Sequence, residues 1–94
     1  MNKLEFERKI KAFNIQKISY DAEMAKVFGK GRELYLDRNT CDLYGCFYED
    51  EVKEFIIFFM DAERGIARDL GNYKTEKEAY ENLFIRMKEW QERM

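Results

Sequence analysis

Val52-Lys53-Glu54-Phe55-Ile56-Ile57-Phe58-Phe59-Met60-Asp61 is the stretch on which the fold turns. Strand side chains alternate between two faces. Here the odd positions Phe55, Ile57 and Phe59 and the even positions Ile56, Phe58 and Met60 are all large and apolar. A strand of that kind is buried on both sides, so it is central and needs a cover on each face. Helices supply one cover, and the other falls to something else, such as a partner. The apolar run Phe55 to Met60 is far short of the roughly 20 residues that a membrane-spanning helix needs.

Working outward, Cys41 to Tyr48 reads as the preceding strand. Cys41, Leu43, Gly45 and Phe47 line one face, and Asp42, Tyr44, Cys46 and Tyr48 the other. Glu49-Asp50-Glu51 connects it to the central strand. Before it, Glu33-Leu34-Tyr35-Leu36 is a short strand, and Asp37-Arg38-Asn39-Thr40 has the composition of a turn. After Asp61–Gly65, Ile66 to Leu70 makes a fourth strand that Gly71-Asn72 closes.

The flanks are helical. Thr75-Glu76-Lys77-Glu78 is a capping box. It opens a stripe of Ala79, Tyr80, Leu83, Phe84, Met87, Trp90 and Met94, with Glu81, Lys88, Gln91 and Glu92 on the polar side. At the other end Leu4, Ile10 and Phe13 fall near one helical face, with Phe6 beside it, and Asn14 is a natural stop. Residues 15–28 admit two readings. Ile15, Ile18, Ala22 and Ala25 keep a helical period, whereas Ile18, Tyr20, Ala22 and Met24 alternate. Helix formers favour a second helix over 20–28, ended by Gly29 and Gly31. The expectation is one α+β domain over 1–94. It has an N-terminal helix or helix pair, a three- to four-stranded antiparallel sheet, and a C-terminal amphipathic helix packed on the sheet.

Composition removes several function classes. The 94 residues are 46% hydrophobic, 16% aromatic and 38% charged, with no histidine and no proline. Without histidine there is no Ser–His or Cys–His nucleophile and no imidazole metal ligand. Cys41 and Cys46 cannot form a four-thiolate zinc site, and their spacing is not that of a redox pair. On a common strand they would face opposite ways, so they are expected reduced and unbonded. No metal and no cofactor is expected. Met1 to Lys9 is too charged for a signal peptide, so the expected location is the cytoplasm. Gly29-Lys30-Gly31-Arg32 lacks the Gly-Lys-Ser/Thr of a phosphate loop. The order helix, strands, helix is that of a double-stranded-RNA-binding domain. That module needs a basic start to its last helix, where this chain has Thr75-Glu76-Lys77-Glu78. A sequence pI of about 5.3 also argues against a nucleic-acid partner.

Charge is uneven along the chain. Residues 1–30 carry seven Lys/Arg and four Asp/Glu; residues 31–73 carry five and ten; residues 74–94 balance. In the acidic middle Tyr35, Tyr44 and Tyr48 stand among Asp37, Asp42, Glu49, Asp50, Glu51, Glu54, Asp61 and Glu63. Acids beside tyrosines make a protein-binding face: charge speeds association, and the rings supply buried area and a hydroxyl. The bland reading is that turns are simply polar and that the rings are covered by helices. No EF-hand loop occurs, and Asp61-Ala62-Glu63 is an isolated acid pair.

Phe58-Phe59-Met60-Asp61-Ala62-Glu63-Arg64-Gly65, followed by Leu70-Gly71-Asn72-Tyr73-Lys74-Thr75-Glu76-Lys77-Glu78-Ala79-Tyr80, resembles small bacterial immunity proteins of polymorphic toxin systems. In that family a strand ends in a D-E-R-G-like turn, and a G-x-[FY]-x-[ST]-E-x-E-A run opens the last helix. The likeness covers residues 55–84, and the turn here is one residue longer. It implies a stoichiometric, non-catalytic inhibitor of a cognate toxin. The matched motif is a structural joint, so no binding residue carries over from it. The expected function is thus a non-enzymatic protein-binding module with a protein partner, such as a basic toxin domain. The alternatives are a homodimer with an assembly or regulatory role, motivated by the two-sided strand 52–61, and a small carboxylate-based enzyme.

Overall fold

The computed structural model describes residues 1–19, 33–61 and 66–93. The helix expected at 20–28, the Gly29–Arg32 joint and Glu63 lie outside them.

Helix α1 spans Lys3–Ile10, and Asn2 caps it by accepting from the Glu5 amide at 2.9 Å. Glu5 in its first turn and Arg8 and Lys9 in its last suit the helix dipole. Phe6 and Ile10, four apart, share the buried face. Leu4 was expected near that face but is 64% exposed. It stands two positions from Phe6, about 200° around the helix. A 3-10 turn, Lys11–Phe13, follows, and Asn14 ends it in the left-handed region at φ 60°.

The sheet has five strands rather than three or four: β1 Ile15–Ser19, β2 Glu33–Asp37, β3 Leu43–Glu49, β4 Glu54–Asp61 and β5 Ile66–Tyr73. They lie side by side in chain order, each antiparallel to the next. The additional strand is β1. Its pairing with β2, from Ile15 opposite Asp37 to Ser19 opposite Glu33, settles residues 15–19 as strand. β5 runs on through Gly71 to Tyr73. Ile57 faces Gly71 while Phe58 faces Asp69, so a bulge absorbs Leu70. β3 starts at Leu43 because Cys41 takes a turn conformation at φ 63°, and β4 starts at Glu54 because Val52 and Lys53 belong to the hairpin turn.

Helix α2, Glu76–Arg93, begins with the expected cap. The Glu78 amide donates to Thr75 Oγ1 at 3.2 Å, and that hydroxyl donates to Glu78 Oε1 at 3.1 Å. Its buried residues Ala79, Tyr80, Leu83 and Met87 join Phe6, Ile10, Ile15, Tyr35, Tyr44 and Ile57 in one core, so both helices cover the same face of the sheet. Phe6 meets Tyr35 edge-on at 4.8 Å and Tyr80 at 5.0 Å. The opposite face holds a second core of Leu34, Leu43, Phe58 and Met60, all buried within the chain. Gly45 is the point of closest approach there. It pairs with Leu34 and Phe58, and a Cβ on it would lie 2.6 Å from Leu34 Cδ2 and from Phe58 Cε1. Both faces of β4 are therefore covered without a second molecule, which removes the motive for a homodimer. Among the described residues no helix is long and apolar enough to cross a membrane.

Candidate functional site

Strand alternation sends Tyr35, Tyr44, Cys46 and Tyr48 to the helix-covered face, but their fates differ. Tyr35 and Tyr44 are buried. Burial pushes both phenols well above their usual range, and Asp42 and Asp37 add to the rise at Tyr44. The Tyr35 hydroxyl donates to Glu7 Oε1 at 3.2 Å. Asp37, expected on the acidic surface, is fully buried as well. Its Oδ1 accepts from the Asn39 amide at 2.8 Å, closing the turn, and its Oδ2 accepts from Gln91 Nε2. Asp37 thus ties the β2–β3 turn to the end of α2. These three residues work inside the molecule because α1 and α2 lie over them.

Tyr48 escapes that cover and is 48% exposed. Cys46 senses the charge of Glu76, at the start of α2. Two residues further along β3, roughly 7 Å, Tyr48 stands beyond the helix. Its ring packs on Phe55 across the ladder at 5.0 Å, and Phe55 pairs in turn with Tyr73, so three rings step across β3, β4 and β5. The next pair outward is Glu49 opposite Glu54, two like charges face to face. The turn between them holds exposed Asp50, Glu51, Val52 and Lys53. Lys53 is left-handed at φ 55°, and its amide donates to the Glu49 carbonyl at 2.8 Å.

The expected acidic surface is therefore divided. Tyr48, Glu49, Asp50, Glu51 and Glu54 come together at the β3–β4 hairpin. Asp42 and the end of β4 at Asp61 lie at the other end of the sheet, the length of a seven-residue strand away, about 20 Å.

A second polar cluster joins α1 to the sheet, and only the distribution of charge in residues 1–33 hinted at it. Lys17 Nζ reaches Glu7 Oε1 at 3.0 Å and Glu33 Oε1 at 3.3 Å, and Lys3 pairs with Glu33 Oε2. The Glu7 bond raises the Lys17 ammonium pKa, and the Lys3 bond lowers that of the Glu33 carboxyl. Two carboxylates thus converge, but each is held by an ammonium group. The Glu33 carboxyl, its pKa lowered by Lys3, is the reverse of a general acid. Among the described residues no group of three or more His, Cys, Asp or Glu is placed to hold a metal ion.

Sequence reasoning missed Gln91, which was placed on the polar side of α2 yet turns in to Asp37. It also left Phe55 and Tyr73 out of the tyrosine-bearing surface, although their registry with Tyr48 follows from the hairpin. No family model, no curated protein and no solved structure matches this chain.

Proposed function

We propose that this chain is a non-catalytic protein-binding module that engages a basic partner through the end of the β3–β4 hairpin. The observation that carries the reading is Tyr48, half-exposed at the end of a ladder of rings and next to a hairpin tip that carries Glu49, Asp50, Glu51 and Glu54. An amphipathic ring beside an acidic hairpin tip suits a hot spot: the ring is buried on binding, while the acids steer the partner. A cation from the partner would also relieve the Glu49–Glu54 repulsion, a gain available only in the complex.

The finer reading is an immunity protein that neutralises a cognate bacterial toxin in the cytoplasm. It rests on the resemblance over residues 55–84. The test is affinity capture from the producing strain, run in parallel with wild type and a Tyr48→Ala/Glu49→Gln/Glu54→Gln variant. A basic protein retained by wild type and lost by the variant supports the proposal. Equal retention, or none, refutes it.

A further inference from the structure

The β1 edge of the sheet carries a second surface, separate from the hairpin. β1 pairs with β2 on one side, and among the described residues no backbone group bonds its other side. Along it, between α1, the 3-10 turn and β1, runs a groove of about 420 Å³. Ile10 and Ile15, both buried, form its apolar base. Lys11, Lys17 and Arg38 line it together with Glu7; Lys17 is paired with Glu7 and Glu33, so Lys11 and Arg38 carry its excess positive charge. In a chain of net charge −2 this is a local reversal of sign. Donors also remain available. Lys17 spends two of its three N–H groups on Glu7 and Glu33, and Arg38 spends Nε and Nη2 on Gln16 Oε1, at 3.0 and 2.6 Å.

We propose that this groove docks an extended acidic segment of a partner protein, added to the sheet as a strand along β1. A strand edge unpaired among the described residues offers donors and acceptors at peptide spacing, which another peptide backbone matches and a nucleic-acid backbone does not. The basic lining then selects acidic side chains. A second copy of this chain is the wrong occupant. Antiparallel self-pairing centred on the five-residue β1 sets Lys17 against Lys17. A lysine on an edge strand commonly guards against such pairing. Lys11 and Arg38 lie outside the strand and exceed what guarding requires.

The test is a titration of the full-length protein with a blocked five-residue peptide alternating valine and glutamate, followed by amide NMR. Three comparison probes are the lysine counterpart, the same acidic peptide with a central proline, and oligodeoxythymidine of equal charge. The acidic peptide should bind, protect β1 amides and weaken with salt. Lys11→Glu combined with Arg38→Glu, both at exposed positions, should reduce its affinity about tenfold, with an unchanged melting curve. Tyr48→Ala should leave this affinity unchanged, which separates the groove from the hairpin proposal. No binding by the acidic peptide overturns the inference. So does equal binding of the lysine or proline peptide, or tighter binding of the oligonucleotide.

Discussion

Tyr44 and Tyr48 stand four residues apart on one face of one strand, yet they belong to different parts of the molecule. Around Tyr44 the sheet is roofed by α2, and the nearby Asp37 carboxylate is buried with the Asn39 amide and Gln91 as donors. Around Tyr48 the roof has ended, Asp50 and Glu51 are exposed and Glu49 stands opposite Glu54. At the first end the buried carboxylate of Asp37 is satisfied internally, so that end is built for stability. The second end retains a cross-strand pair of like charges and a half-exposed ring, so it has something to gain from a partner.

Cys46, between the two tyrosines, gives the largest expected contrast. Burial pushes its thiol up to about 12 from an ordinary 9.0, with Glu76 adding to the rise. The reactive thiolate is then about a thousandfold rarer than for an ordinary thiol at neutral pH and returns only as pH climbs. Cys41 is exposed in the turn. Iodoacetamide at pH 8 should therefore label one cysteine, Cys41, by mass spectrometry, and the second only on unfolding. Rapid double labelling of the native protein would mean that the roof does not extend to Cys46.

Stability measurements divide the tyrosines next. Tyr44→Ala should cost about 3–5 kcal/mol in urea denaturation, as for other large buried rings, whereas Tyr48→Ala should cost under about 1 kcal/mol and be felt in partner binding. Equal losses would erase the distinction between the two ends. Gln91→Leu leaves the Asp37 carboxylate with one fewer donor and should cost about 1–3 kcal/mol by the same measurement. The smallest effect has the opposite sign. Glu49→Gln removes the cross-strand repulsion and should stabilise the fold by about 0.2–1 kcal/mol, while slowing association with a basic partner in stopped-flow mixing at low salt. A stabilised variant with unchanged association would separate the acids from binding.

Much of the fold was legible locally. The alternation of Leu43 to Tyr48, the two-sided run Phe55 to Met60 and the Thr75–Glu78 cap each carry their own period or hydrogen bond within a few residues. Other features depended on distant chain. Ile15 to Ser19 has no strand pattern strong enough to exclude a helix, and its pairing with Glu33 to Asp37 decided the matter. Leu4 and Gln91 went to unexpected sides of their helices because Phe6 found Tyr35 and Tyr80, and Gln91 found Asp37, residues far away in sequence.

The candidate surface shows the same division. Composition and spacing were enough to place tyrosines and acids on a sheet, because side-chain alternation and residue chemistry are properties of a short segment. Which tyrosine stays outside, which aspartate goes in and which acids meet at one hairpin were settled by where α2 starts and ends over the sheet. That depends on contacts such as that of Gln91 with Asp37, 54 positions apart, which no local pattern encodes.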